Sequence, residues 1–279
     1  MHTKLSEIFS DIQFVYKLII TISSIGVIIS GAEWLWKARQ FKGNNLFSWK
    51  IRKTRISYFN KYKFFDFIYK YPNILFLIGT QVMCALLCLI NLDNIVALSL
   101  LCSIIALISI ILSLKSFIGH TGADQMLKAT FIVISLCLLS RSNFAQNLGL
   151  IMISCHLTIA YATPGFIRLS VKEWRNGTDI ILMIRSHTYG NYKLWMYLKN
   201  TKPAAMILSW GIIIFESFIV LAILLPTPLL VTYLVFGVIF HIGNAIFMGL
   251  NTFPWAFIAT YPAFLWCSIQ LKSFLTMSL

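Results

Sequence analysis

Inside long hydrophobic runs this chain carries very few ionisable side chains, and those few are the first candidates for chemistry: Glu216, His156 and His241, with Arg168 close to the end of another run. A charged carboxylate facing lipid costs on the order of 3 kcal/mol even on the lenient insertion scale. Glu216 is therefore expected to face protein, to pair with a cation, or to stay protonated. Arg168 and His241 are the partners expected for it. His241, Asn244 and Met248 fall at helical spacing on one face. A second polar cluster, His120, Gly122, Ala123, Asp124 and Gln125, precedes a short apolar run, where Asp124 or Gln125 can cap a helix. The residues weighed for catalysis are Arg168, Asp124, Glu216 and His241. Those weighed for substrate contact are Arg168, Trp174, His120 and Asn244. Each has a structural reading beside the chemical one: a histidine satisfied by a carbonyl, an aspartate spent on a cap, basic and tryptophan side chains anchored at a membrane boundary.

The stretch 161–190 must position most of these groups. It begins in an apolar run too long for an ordinary core helix and then turns charged at Arg168, Lys172, Glu173 and Arg175. Gly177 can stop a helix there, and Thr178 or Asp179 can cap the next.

The rest of the chain says what kind of scaffold this is. Of its 279 residues, 58% are hydrophobic and 11% charged. A soluble domain carries about a quarter charged residues, so the composition predicts an integral membrane protein. Its apolar runs are continuous rather than alternating, which selects helices over a β-barrel. The predicted fold is an all-α polytopic bundle of about eight transmembrane helices, a single membrane unit over 1–279. Basic interfacial connections with helices of their own are expected at 37–71 and 170–203. The spans are expected near 14–31, 73–90, 95–114, 125–139, 146–166, 204–225, 230–250 and 252–271, the fourth being short for a bilayer of about 30 Å. No cleavable signal peptide is expected. Six cysteines lie in apolar runs without the spacing of a zinc site or a disulfide framework, and neither metal nor cofactor is assigned. Phosphate-binding loops, dinucleotide fingerprints and nucleophile motifs are not found.

The segment 37–71 holds ten Lys/Arg against one acid, Asp66, with aromatics (Phe47, Trp49, Tyr58, Phe59, Tyr62, Phe64, Phe65) interleaved. That pattern suits a segment lying on an anionic lipid surface and is too short for a nucleic-acid-binding fold. In an eight-span scheme the loops 37–71, 115–124 and 162–203 share one side with eighteen Lys/Arg. The positive-inside rule places that side in the cytoplasm.

Arg168 to Ile180, RLSVKEWRNGTDI, resembles the signature that follows the fifth span in the HTTM (horizontally transferred transmembrane) family, in its SdpB-type branch. Leu169, Val171, Glu173, Trp174, Asn176, Gly177 and Thr178 carry the match. GADQ at 122–125 is similar to the family's Gly-Gly-Asp-Gln element, with Ala123 in place of a glycine. Phe215-Glu216 and the tail from His241, HIGNAIFMGLNTFPWAFIATYPAFL, look like further family features. The matches run in order over roughly 119–265, each of them short. The branch implies maturation of a sporulation-delaying-type peptide toxin. The wider family includes the membrane part of vitamin K-dependent γ-glutamyl carboxylase, whose base is a lysine in a Lys-Leu element. Here the position is Arg168, which cannot serve as a general base but can hold an anion by a forked hydrogen bond. In the carboxylase the comparable loops face the lumen, opposite to the side that the charge count gives here.

Two readings follow. One is a multi-pass cell-membrane component in the maturation or export of a secreted antimicrobial peptide, meeting the lipid bilayer, a peptide precursor and a separate soluble partner. The other is a membrane-embedded enzyme that modifies a peptide or a quinone, carboxylase-like but without the lysine base.

Overall fold

A computed structural model describes residues 7–45, 47–54, 63–115 and 121–277. His120, Tyr58, Phe59 and Tyr62 lie outside them. All regular structure among the described residues is helical: α1 (Ile12–Trp36), α2 (Trp49–Lys53), α3 (Lys63–Tyr69), α4 (Asn73–Ile90), α5 (Ile95–Lys115), α6 (Gly122–Ser140), α7 (Asn143–Ser170), α8 (Lys172–Arg175), α9 (Thr178–Arg185), α10 (Tyr192–Asn200), α11 (Lys202–Ala222), α12 (Thr227–Met248), α13 (Thr252–Ile258) and α14 (Tyr261–Met277), with a 3-10 turn at Ala38–Phe41. Seven of these, α1, α4, α5, α6, α7, α11 and α12, are long and apolar enough to cross a membrane. The bundle is all-α and polytopic, as its composition predicts.

The helices are apolar on both faces. On α5, Leu98, Cys102, Ile105 and Ile108 are buried, while Leu100, Ile104, Leu107 and Leu114 are exposed. An outward stripe of that kind suits lipid, not water.

Two expectations about span length change. The fourth run is not short: α6 begins at Gly122 and has 19 residues. Thr121 is its N-cap, with the hydroxyl accepting from the Asp124 N–H, and Asp124 accepts the Thr121 N–H in return. This reciprocal box satisfies two of the helix's unpaired donors and extends the helix a turn beyond the apolar residues. The eighth run, by contrast, is broken at Ala259–Thr260 into α13 and α14. Pro262 has no N–H to return to the carbonyl of Ile258, so the ladder stops there. The broken pair still returns the chain to the level of the α11–α12 turn: Ser268 Oγ donates to the Ile223 carbonyl at 2.6 Å and Lys272 Nζ to that of Leu225.

The chain divides into two compact units, Ile20–Gln146 and Met1–Ile19 with Asn147–Leu279, here the N-terminal and C-terminal units. In the N-terminal unit, the basic segment is more than a surface coat. Phe41, Trp49 and Tyr69 form a buried cluster with Ile74 and Ile78 at the start of α4. Tyr69 Oη donates to the Ile111 carbonyl at 2.6 Å, and burial pushes its hydroxyl up to about 12. Phe64 and Phe67 on α3 stay exposed, so this helix has one aromatic face inward and one outward.

In the C-terminal unit, α9 and α10 form a hairpin on the first turns of α11. Ile180, Ile184, Leu198 and Ala205 make its core, while Leu182, Tyr192 and Tyr197 point outward. Short helices are thus present in 170–203, where the sequence leads one to expect them.

Candidate functional site

The site begins with one stripe of α11. Ala205, Ser209, Ile213 and Glu216 are all buried and recur every three or four residues, so they face the same way. The chain from α7 to α9 lies along that stripe. Gly177 sits at φ 79°, a left-handed turn that suits glycine, and a Cβ there would lie 2.8 Å from the Met206 nitrogen. Ser209 Oγ donates to the Trp174 carbonyl at 2.5 Å. Deeper along α11, a Cβ on Gly165 would lie 2.6 Å from the Ser217 nitrogen and 2.8 Å from the Glu216 carbonyl carbon. Only glycine lets α7 come this close, and the approach brings Arg168, one turn onward, to Glu216.

Arg168 donates through Nη1 to Glu216 Oε2. Its guanidinium also lies 4.8 Å from the centroid of the Trp174 ring, a cation–π contact. The pair is sheltered: side-chain exposure is 23% for Arg168 and 6% for Glu216. Arg168 also occupies the last turn of α7, where the helix dipole favours a cation. Trp174, Arg168 and Glu216, three of the residues weighed from sequence, thus form one group.

His241 belongs to a different group. It is 1% exposed and stacks on Phe257 of α13, with centroids 4.3 Å apart and planes 21° from parallel. Its Nε2 shares a 2.5 Å hydrogen bond with Tyr161 Oη, which lies 2.7 Å from Tyr261 Oη. Three polar groups from α7, α12 and α14 therefore form a buried line beside the break between α13 and α14. His241 Nδ1 has no hydrogen-bond partner among the described residues. A line of this kind can pass a proton between its members. It offers no free carboxylate or amine.

The other candidates disperse. Asn244 is half-buried one turn after His241, and its carbonyl accepts the Leu250 N–H at the end of α12. Asp124 belongs to the N-terminal unit, where it closes the cap of α6. Tyr161 and Tyr261 are not among the residues that sequence reasoning singles out. Their one signal is a phenol inside an apolar run, which needs a partner when buried.

No protein-family model matches the chain, and neither a curated protein nor a solved structure matches it.

Proposed function

We propose that this protein is a cell-membrane component in the maturation or export of a secreted antimicrobial peptide of the sporulation-delaying type, and that it acts by binding rather than by lysine-base catalysis. The observation that carries the second half is the Arg168–Glu216 pair stacked on Trp174. At the position where the carboxylase places its base, this chain holds a permanent cation already matched by a carboxylate. The peptide pathway rests on the ordered run of short motifs between Gly119 and Leu265 and on the position of Arg168 within it.

The test is secretion of the mature peptide by native-host cells lacking the chromosomal copy and complemented at matched expression. Arg168→Ala is expected to abolish maturation. Arg168→Lys keeps the charge, loses the planar fork, and is expected to leave partial activity. A lysine variant whose peptide gains the mass of one carboxyl group overturns the binding reading in favour of a carboxylase. Full activity in the alanine variant makes Arg168 an interfacial anchor only.

The Tyr161–His241–Tyr261 line favours a second reading, a membrane-embedded enzyme acting on a peptide or a lipid-soluble quinone. Organic extraction of the purified protein decides it. A stoichiometric quinone supports that enzyme, and its absence together with normal peptide maturation removes it.

A further inference from the structure

Two cysteines of the N-terminal unit meet in a place that neither reading above uses. α4 and α5 form an antiparallel hairpin through the turn at 91–94. Their register is set by Gln81 Nε2 on α4, which donates to Ser109 Oγ on α5 at 2.8 Å. In an antiparallel pair, equal steps forward on one helix and back on the other keep partners level, and a step of about two turns keeps the same faces together. Such a step, seven residues, leads from Gln81 to Cys88 and from Ser109 to Cys102. On the way it passes Ala85 and Ile105, both fully buried. The two thiols are in hydrogen-bonding contact, as this register requires, and both residues are 0% exposed. Cys84, the other thiol of α4, has Ala106 at its level instead of a sulfur.

Ser24 of α1 stands beside Cys88 and is fully buried too. Among the described residues no three His, Cys, Asp or Glu side chains gather closely enough to hold a metal ion. A monovalent soft metal on the two thiolates alone would leave a net negative charge in a low-dielectric layer, whereas a disulfide leaves none. Forming the disulfide breaks two S–H bonds and makes one S–S bond, which releases two electrons and two protons. Neither thiol is exposed to water, so the acceptor has to be apolar and take up electrons and protons together. A lipid-soluble quinone does so, its two carbonyl oxygens becoming the hydroxyls of a hydroquinone. Cys88 lies in the last turn of α4, beside Leu87 and Ile90, which are exposed. Helix ends open at little cost, so an oxidant dissolved in the lipid meets this thiol first. The hairpin turn is also at the end of α4 away from the basic segment 37–71, the end that the charge count places outside the cytoplasm, where disulfides persist.

We propose that Cys88 and Cys102 are a reversible dithiol–disulfide couple, oxidised by a lipid-soluble quinone, whose disulfide ties α4 to α5. The couple involves none of Arg168, Glu216, Tyr161 or His241, so it stands independently of both functional readings above.

The test uses the full-length protein, reduced and purified in a non-ionic maltoside detergent, with a fully substituted, short-chain benzoquinone as oxidant. The intact mass is expected to fall by two hydrogens, a peptide cross-linked between Cys88 and Cys102 to appear, and one hydroquinone to form per chain. Denatured and labelled with a maleimide, the chain should take six labels before oxidation and four after, the six cysteines less the pair, and dithiothreitol should restore six. Cys88→Ser and Cys102→Ser are each expected to abolish the mass loss, the cross-linked peptide and the hydroquinone. Cys84→Ser and Cys155→Ser, the latter at an exposed thiol, should leave all three unchanged. Oxidised glutathione, charged and confined to water, should leave the pair reduced over the same time. In membranes of aerobic native-host cells quenched in acid, four labels are expected. Should a serine variant fail to fold, the peptide map of the wild-type chain still decides which sulfurs join. No loss of two hydrogens overturns the proposal, as does a loss that survives Cys102→Ser, a cross-link that joins Cys84 instead, or six labels in the quenched membranes. Oxidation by glutathione disulfide as fast as by the quinone overturns the lipid-side oxidant.

Discussion

Each unit contains a cation–carboxylate pair supported by a tryptophan, and the two pairs differ chiefly in shelter. In the C-terminal unit Arg168 meets Glu216 beside Trp174, with the carboxylate 6% exposed. In the N-terminal unit Lys53 meets Asp66 at 2.7 Å, with Trp49 Nε1 donating to the same carboxylate at 2.5 Å and the carboxylate 39% exposed. The composition of the two groups is nearly the same. Their energetic meaning is not. Where water is excluded, each charge is held only by its partner, so removing one leaves the other stranded. Where water reaches the pair, solvent replaces whichever partner is lost. The buried pair can therefore enforce how α7 lies against α11, while the exposed one can only tune the conformation of the basic segment.

The largest effects are expected at Glu216. Glu216→Lys places a second cation against Arg168 and should prevent accumulation of folded protein. Glu216→Gln keeps the shape and should cost about 3–5 kcal/mol, the usual cost of breaking a buried pair. Thermal unfolding in detergent, read by gel filtration, makes the comparison. Similar stability of both variants and wild type would mean that water reaches the C-terminal pair too, and the contrast between the units would collapse.

Gly165 tests whether the buried pair depends on close helix approach. A valine there must displace the α11 backbone, and overpacking of this kind costs about 1–3 kcal/mol. At Gly79 on α4 an added Cβ would meet no atom within 4 Å, so Gly79→Ala should instead stabilise by roughly 0.5–1 kcal/mol through helix propensity. Opposite signs in the same unfolding assay support the close-approach argument. A tolerated Gly165→Val would show that α7 can retreat without losing Arg168 from Glu216. Tyr161→Phe addresses the same unit by hydrogen bonding alone. It leaves His241 Nε2 and the Tyr261 hydroxyl without their shared partner, for an expected loss of about 1–3 kcal/mol. No measurable change would place water in that line.

Much of this architecture is legible in the residues. The run 73–90 is α4 to the residue, and Gly177 ends α8 as its type suggests, because span boundaries and left-handed turns are local matters. The partner of Glu216 is also within reach, since a buried carboxylate needs a cation and the apolar runs supply few. Other features depend on contacts that no local pattern encodes. Tyr161 and Tyr261 meet across 100 residues, and nothing near either one marks the other. Pro262 is plain in the sequence, yet hydrophobicity continues through it, so the run reads as one span although its hydrogen-bond ladder is broken. The interleaved aromatics of 37–71 look alike in sequence. Only packing against α4 and α5 separates buried Trp49 and Tyr69 from exposed Phe64 and Phe67.

The smallest expected effect is at Asp66, and it bears on the comparison from the exposed side. The Lys53 ammonium, hydrogen-bonded to both carboxylate oxygens at 2.8 and 2.7 Å, and then the Trp49 indole hold this carboxyl below its ordinary value. A carboxyl lowered in the folded state adds stability above its unfolded value and loses it as pH falls through the folded one. The contribution should therefore be complete at neutral pH, begin to fall near the ordinary aspartate value of about 4, and be lost only once pH has passed below the lowered folded value. Because solvent screens the pair, the whole effect should stay within about 1 kcal/mol, and Asp66→Asn should cost no more than that. Trp49 is the natural reporter. Its emission should stay constant through the ordinary carboxylate range, shift only below it in wild type, and stay flat throughout in Asp66→Asn. A loss at Asp66→Asn as large as that at Glu216→Gln would show that the basic segment shelters its ion pair as fully as the membrane helices shelter theirs, and burial would no longer explain why the two pairs differ.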